Sequence, residues 1–285
     1  MRVVLTGASG QLGAYALGRL VAAGHVVKAW AGRGGGSVDL TDPSAVAKAL
    51  DEDDPDAVVH TAAMSAADDV RRDPRAGWEV NVSATARLAE WCDGRGRTLV
   101  YTSTDLVFDG SRAMSSEADR PSPVLEYGRT KRAGELAVLG SSRGIVARVS
   151  LLYGPARGGR VSYFDKTVAA VRRGEPQSFF EDEYRTPLDL WTAGDALARL
   201  VGIDFTGLVH VGGTERMSRY DLARRFTHSV GLDSRLILPS RRSEAVFPEP
   251  RPVDVSLDTA RLETLLPGLN RTSVEDATAR MVGTG

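Results

Sequence analysis

Short apolar runs separated by amphipathic stretches set the pattern of this chain. Val3-Val4-Leu5 is apolar and long enough for a buried strand. After it, Leu12, Ala16, Leu17, Leu20 and Val21 recur at three- and four-residue steps, the period of a helix with one buried face. The alternation then repeats. Residues 25–31 predict a second strand, Thr41-Asp42-Pro43 caps a helix to about residue 50, and residues 57–60 predict a third strand. A long helix follows over 73–92, with Trp78, Val82, Ala86 and Ala89 as its apolar stripe. A fourth strand over 98–102, a helix over 124–139 and a fifth strand over 144–148 complete the series. Such alternation predicts an α/β fold with a doubly wound parallel sheet.

Past Tyr153-Gly154-Pro155 the alternation loosens. Helices are expected over 164–172, 192–201 and 218–230, with an apolar run at Ser178-Phe179-Phe180 and a strand over 208–211. Residues 239–252 read as a proline- and charge-rich loop, and residues 258–266 as the last helix. These pieces cannot build a large sheet of their own. The expected division is 1–153 and a smaller α+β part over 154–285, with segments around 186–213 returning in part to the first.

Composition narrows the function classes. The formal net charge is -1, so no bulk basic field draws the chain to nucleic acid or to an anionic membrane. The single cysteine, Cys92, excludes an internal disulfide and reads as a packing thiol. The four histidines have no metal-ligand spacing, so no metal site is expected. No segment approaches the roughly 20 apolar residues of a membrane span, and the first residues already read as a strand rather than a signal peptide. A cytoplasmic protein is the expectation.

The candidate chemistry begins at Gly7-Ala8-Ser9-Gly10-Gln11-Leu12-Gly13, between the first strand and the first helix. Gly7 permits a tight turn, Gly10 lets the backbone approach a diphosphate, and Gly13 lets the helix lie close. The helix N-terminus offers free N–H groups to that anion. An ordinary strand–helix turn is the competing reading, and the loop's place after the first strand argues against it. No acid ends the second strand, and Arg33 sits where a cation could meet a 2′-phosphate, although a solvated loop arginine reads equally well. That favours NADP(H) over NAD(H). Small residues Ala62 and Ala63 follow the third strand, where a ligand would come close. Asn81, alone on its helix, reads as a surface or cap residue.

Tyr127 and Lys131 stand four apart, on one face of a helix. A nearby ammonium lowers a phenol's pKa, and such a tyrosine can give its proton to a carbonyl oxygen while hydride reaches the carbon. Thr104, at the end of the fourth strand, is placed to hold that oxygen. The competing reading pairs Lys131 with Glu135 on a solvated face.

Glycine loop, Thr104 and Tyr-x-x-x-Lys, in this order, resemble the extended short-chain dehydrogenase/reductase family. Within it the chain looks most like the dTDP-4-dehydrorhamnose reductases, through Thr6 to Gly13, Asp39-Leu40-Thr41-Asp42-Pro43, Ser103 to Gly110, and Tyr127-Gly128-Arg129-Thr130-Lys131. The resemblance implies a Rossmann sheet and hydride transfer from a nicotinamide cofactor to a keto group of a nucleotide-linked sugar. Tyr127 would be the general acid, Lys131 would hold the nicotinamide ribose, and Thr104 and Asp105 would meet the substrate. Leu12, Asp39, Leu40, Ala62 and Ala63 would line the cofactor groove beside Ser9 and Gln11, and Arg185 could clamp a substrate diphosphate or form an ordinary ion pair. Asn81 lies where the family has an asparagine. The chain departs from the pattern at Leu106 and Leu151, which replace aromatic residues, over Ala67 to Arg71, at Tyr163 and at Glu183 to Leu188. Two alternatives stay open: a non-catalytic regulatory subunit, as in the related methionine adenosyltransferase β subunit, and an NAD-dependent epimerase or dehydratase. The family also implies pairing as a homodimer.

Overall fold

Val3, Val4 and Leu5 are all buried, as a strand covered by helices on both faces requires. They lie in β1 (Arg2–Thr6), inside a six-stranded sheet of the computed structural model, which describes residues 1–31, 38–157 and 160–283. In chain order the next elements are α1 (Gln11–Ala22), β2 (Val26–Trp30), α2 (Pro43–Asp53), β3 (Ala57–His60), α3 (Ala67–Arg72), α4 (Pro74–Trp78), α5 (Ala84–Gly94), β4 (Thr98–Thr104), α6 (Glu126–Leu139) and β5 (Gly144–Val149). Then come β6 (Leu152–Tyr153), α7 (Tyr163–Arg172), β7 (Gln177–Phe180), β8 (Tyr184–Arg185), β9 (Leu188–Asp189), α8 (Leu190–Leu200) and β10 (Gly207–Val211). The chain closes with β11 (Met217–Ser218), α9 (Arg219–Ser229), β12 (Ile237–Ser240), α10 (Ala260–Leu265) and α11 (Val274–Gly283).

The large sheet runs β10-β5-β4-β3-β1-β2, and every pairing in it is parallel. Its two faces divide the core. Val3 and Leu5 pack with Ala16, Leu20 and Leu197 from α1 and α8, whereas Val4 packs with Leu50, Leu88 and Val138 from α2, α5 and α6. Strand β1 lies between β2 and β3, so the chain leaves it first to one side and then to the other. That reversal opens a crevice at the carboxyl ends of β1 and β3. Of the later strands, β10 joins this sheet beside β5, and the others form two-stranded pairs, β6 with β9, β7 with β12 and β8 with β11. A second apolar cluster forms there from Phe164, Leu222, Phe226, Ala277 and Met281.

Three expectations need correction. Residues 73–92 do form one helical run, α4 to α5, but a π turn over Glu79–Ser83 joins the two. Its buried face is Asn81, Ala84, Leu88, Ala89 and Cys92; of the expected stripe Ala89 lies on it, Val82 and Ala86 are half-buried, and Trp78 is 50 % exposed. The helix meets α6 and the sheet through small residues, so the bulky indole is turned outward. Secondly, the start of the expected loop over 239–252 belongs to β12, which pairs with β7. Thirdly, α10 is followed by α11, opened by Ser273, whose hydroxyl accepts the Asp276 N–H at 3.1 Å. Among the described residues no helix is long and apolar enough to cross a membrane.

Candidate active site

The glycine loop sits at the crevice because only glycines fit it there. Gly7 has φ +69°, and a Cβ on it would stand 2.6 Å from the Ala62 nitrogen, just past β3. A Cβ on Gly13 would stand 2.1 Å from the Gly7 carbonyl oxygen, so α1 rests on its own loop. Above this loop lies a cavity of about 590 Å³, lined by Gly7, Ser9, Gly10, Gln11, Leu12 and Gly13 and, across it, by Ala62, Ala63, Tyr127 and Lys131. The first N–H groups of α1 therefore meet it, the arrangement that suits a diphosphate.

A second cavity, of about 740 Å³, adjoins the first. Thr104, Asp105, Leu106, Leu151, Arg185 and Arg219 are among its walls, with residues 246–249 closing one side. Tyr127 lines both cavities. It is held between them by the packing of the next residue: a Cβ on Gly128 would lie 2.3 Å from the Leu106 carbonyl oxygen, so α6 starts directly against the end of β4. Thr104 caps the short turn there, its hydroxyl accepting the Leu106 N–H at 3.1 Å and donating to Asp105 Oδ1 at 3.2 Å.

The electrostatics differ from the expectation drawn from spacing. Burial pushes the Tyr127 phenol well above its ordinary value, the Asp105 carboxylate pushes the same way, and a hydrogen bond with Thr104 opposes both. Lys131 is not what sets it. Burial instead lowers the Lys131 ammonium to about 7, with Glu135 opposing. Its Nζ stands 4.1 Å over the Tyr101 ring. Helical spacing says which side chains share a face and nothing about how dry that face is. The face is not solvated either: Glu135 is fully buried, and Arg148 takes both its oxygens at 2.8 Å, with Arg132 at 2.8 Å and the Ser103 hydroxyl at 2.5 Å.

Other expected site residues fall differently. Arg185 is buried in the wall of the larger cavity, 3.6 Å from Asp105 Oδ2 and donating to the Tyr184 carbonyl at 2.8 Å. Burial pushes Asp105 up, with Arg185 opposing. Asp39 and Leu40 line neither cavity. The Asp39 carboxylate accepts the Thr41 N–H and hydroxyl at 2.9 and 2.7 Å, and Leu40 packs against the core. Arg33 lies outside the described residues. Asn81 is no surface residue. Its Oδ1 accepts the Met64 N–H at 2.9 Å, and its Nδ2 donates to the Met64 carbonyl at 3.1 Å and to the Thr130 hydroxyl at 3.0 Å. It thus ties the loop after β3 to α6. Arg160 was not anticipated: its Nε donates to the Ser9 carbonyl at 2.6 Å, from 151 residues away. Neither its type nor its neighbours signalled this.

A family model described as the RmlD substrate binding domain matches residues 1–284. A probable low-salt glycan biosynthesis reductase, Agl14, of Haloferax volcanii is 30 % identical, covering 99 % of this chain and 97 % of its own length. A dTDP-4-dehydrorhamnose reductase of Streptomyces griseus is 33 % identical over 91 % of this chain and 86 % of its own. Among solved structures, a dTDP-4-dehydrorhamnose reductase from Bacillus anthracis in complex with NADP superposes with a TM-score of 0.90 at 24 % identity, covering 100 % of this chain and 99 % of that one.

Proposed function

The chain belongs to the RmlD substrate binding domain family, and from that premise we propose that it is an NAD(P)H-dependent reductase of a keto group on a nucleotide-linked sugar. One observation carries the reading: Tyr127 lines both the cavity over the glycine loop and the larger one beside it. A proton donor for a carbonyl must stand where cofactor and substrate meet.

The residues over the first cavity fit a dinucleotide. Gly7 and Gly13 leave no room for a Cβ where the loop meets the end of β3 and the start of α1, and Ser9 to Leu12 line the cavity over that close-packed turn. A reduced nicotinamide would supply the hydride. Tyr127 then gives its phenol proton to the substrate oxygen as that oxygen gains charge. Thr104 steadies the same oxygen through its hydroxyl. Lys131, with a value of about 7, can return a proton toward the phenol at neutral pH. A phenol pushed up by burial holds its proton until charge develops on the substrate, which suits an acid better than a base.

The finer reading is that NADP(H) is preferred over NAD(H), supported by the missing acid after β2, by Arg33 in the sequence, and by the cofactor named for the Bacillus anthracis relative. The relatives' names point to dTDP-4-keto sugars as substrates. The test follows NADPH and NADH absorbance with a panel of dTDP-4-keto sugars. The expected result is oxidation of NADPH faster than NADH, with Arg33→Ala narrowing the gap. Cofactor binding with no carbonyl reduced would sink the proposal in favour of a non-catalytic subunit.

A further inference from the structure

Between β6 and α7 the chain returns to the glycine loop. Asp165 fixes both feet of this passage: its Oδ2 accepts the Ala156 N–H at 2.9 Å and the Ser162 N–H at 2.8 Å. The Ser162 hydroxyl accepts the Asp165 N–H in return at 3.1 Å, which starts α7. Arg160 lies two residues before this cap. Its Nε donates to the Ser9 carbonyl at 2.6 Å, at the turn between β1 and α1. Arg160 is exposed, and it lines the 590 Å³ cavity together with Ser9, Gly10 and Gln11. The Ser9 carbonyl takes its Nε alone. Both Nη groups are left without an acceptor, and the guanidinium without a carboxylate, among the described residues.

Charge gives that open capacity a meaning. Among the described residues, Lys131 and Arg160 are the two charged side chains in the wall of this cavity. Lys131 stands one turn along α6 from Tyr127, where the two cavities join, and burial brings its ammonium to about 7. Arg160 is the cation beside the glycine loop, and a guanidinium stays charged at any working pH. The anion expected over this loop is a diphosphate, to which the start of α1 offers N–H groups and partial charge only. A backbone carbonyl at the same turn would repel it. The Arg160 guanidinium covers one such carbonyl with Nε, and its planar fork leaves the Nη donors for a second oxygen.

We propose that Arg160 is a cofactor-binding residue that uses the Ser9 carbonyl as its anchor and gives its Nη donors to the diphosphate of a nicotinamide dinucleotide. This rests on reading the smaller cavity as the dinucleotide site. It also separates two cations by role. Arg33, after β2 in the sequence, is the candidate for the 2′-phosphate, whereas Arg160 acts on the part that NADPH and NADH share.

The test is calorimetric titration of the 285-residue chain with NADPH and with NADH, each at low and at high salt. Arg160→Met removes the charge and keeps much of the stem. The expected result is a Kd raised about tenfold for both dinucleotides, as for loss of one charge-assisted contact. The salt dependence of binding becomes shallower as well. Arg160→Lys recovers part of the affinity, because the charge returns and the fork does not. Equal binding by Arg160→Met and the parent overturns the proposal alone. A loss confined to NADPH also overturns it, by moving the contact to the 2′-phosphate. No recovery in Arg160→Lys does the same, by showing that the charge was not what held the cofactor. Failure of the parent to bind either dinucleotide overturns the dinucleotide reading together with it.

Discussion

Burial holds the Lys131 ammonium at about 7, against an ordinary lysine value of 10.5. Between those values the unfolded chain keeps a proton that the folded chain has released, so stability rises with pH across the window. Below about 7 both states are charged, and the folded state carries the full penalty of a buried ammonium. The groups facing it are Glu135, which partly compensates, the Tyr101 ring, and His60, itself lowered to about 3 by burial and by this charge. Lys131→Met should therefore stabilise the protein most below pH 7, and its advantage over the parent should shrink as pH rises toward 10. Urea unfolding at a series of pH values measures this, and parallel profiles would contradict it. Thr104, Tyr127 and Lys131 were legible as a set from residue type and spacing. The direction of the Tyr127 shift was not, because desolvation depends on what surrounds a face.

Elements meet the site through Asn81. Its three hydrogen bonds join the Met64 backbone to Thr130 on α6, the helix that carries Tyr127 and Lys131. Asn81→Ala leaves the half-buried N–H and carbonyl of Met64 and the buried Thr130 hydroxyl without their partner. The expected loss is about 3 kcal/mol of stability, with reduced turnover because Ala62, Ala63 and Ser65 shift on the cavity wall. A urea midpoint giving less than about 0.5 kcal/mol of loss, the range of an ordinary surface substitution, would remove the clamp from the account. Helix existence here was readable from periodicity, but its inward face was not. The expected stripe ran from Trp78 through Val82 and Ala86 to Ala89, and of these Ala89 is buried, on the close-packed face that also carries Ala84 and Cys92.

Across the whole molecule, the site is assembled from both ends of the chain. Glu249, a wall residue of the larger cavity, accepts the Glu126 N–H at the start of α6 at 2.8 Å, across 123 residues of sequence. That bond positions residues 246–252 over the cavity. Glu249→Ala should raise KM for the sugar nucleotide about fivefold, the worth of one hydrogen bond, with kcat nearly unchanged. A steady-state assay decides it, and an unaltered KM would show that this wall is held by other contacts. The residue order alone determined what is local: the strand–helix alternation, the glycine turn, the Tyr127–Lys131 spacing and the cap at Asp42, each complete within a few residues. Tertiary structure decided what is shared between distant segments. It put Tyr127 at the junction of two cavities, buried Lys131 and Glu135, and brought Arg185 against Asp105. Hydrophobic periodicity encodes that a segment is a helix or a strand, but which side chains turn inward and what they meet depend on how the strands are ordered in space.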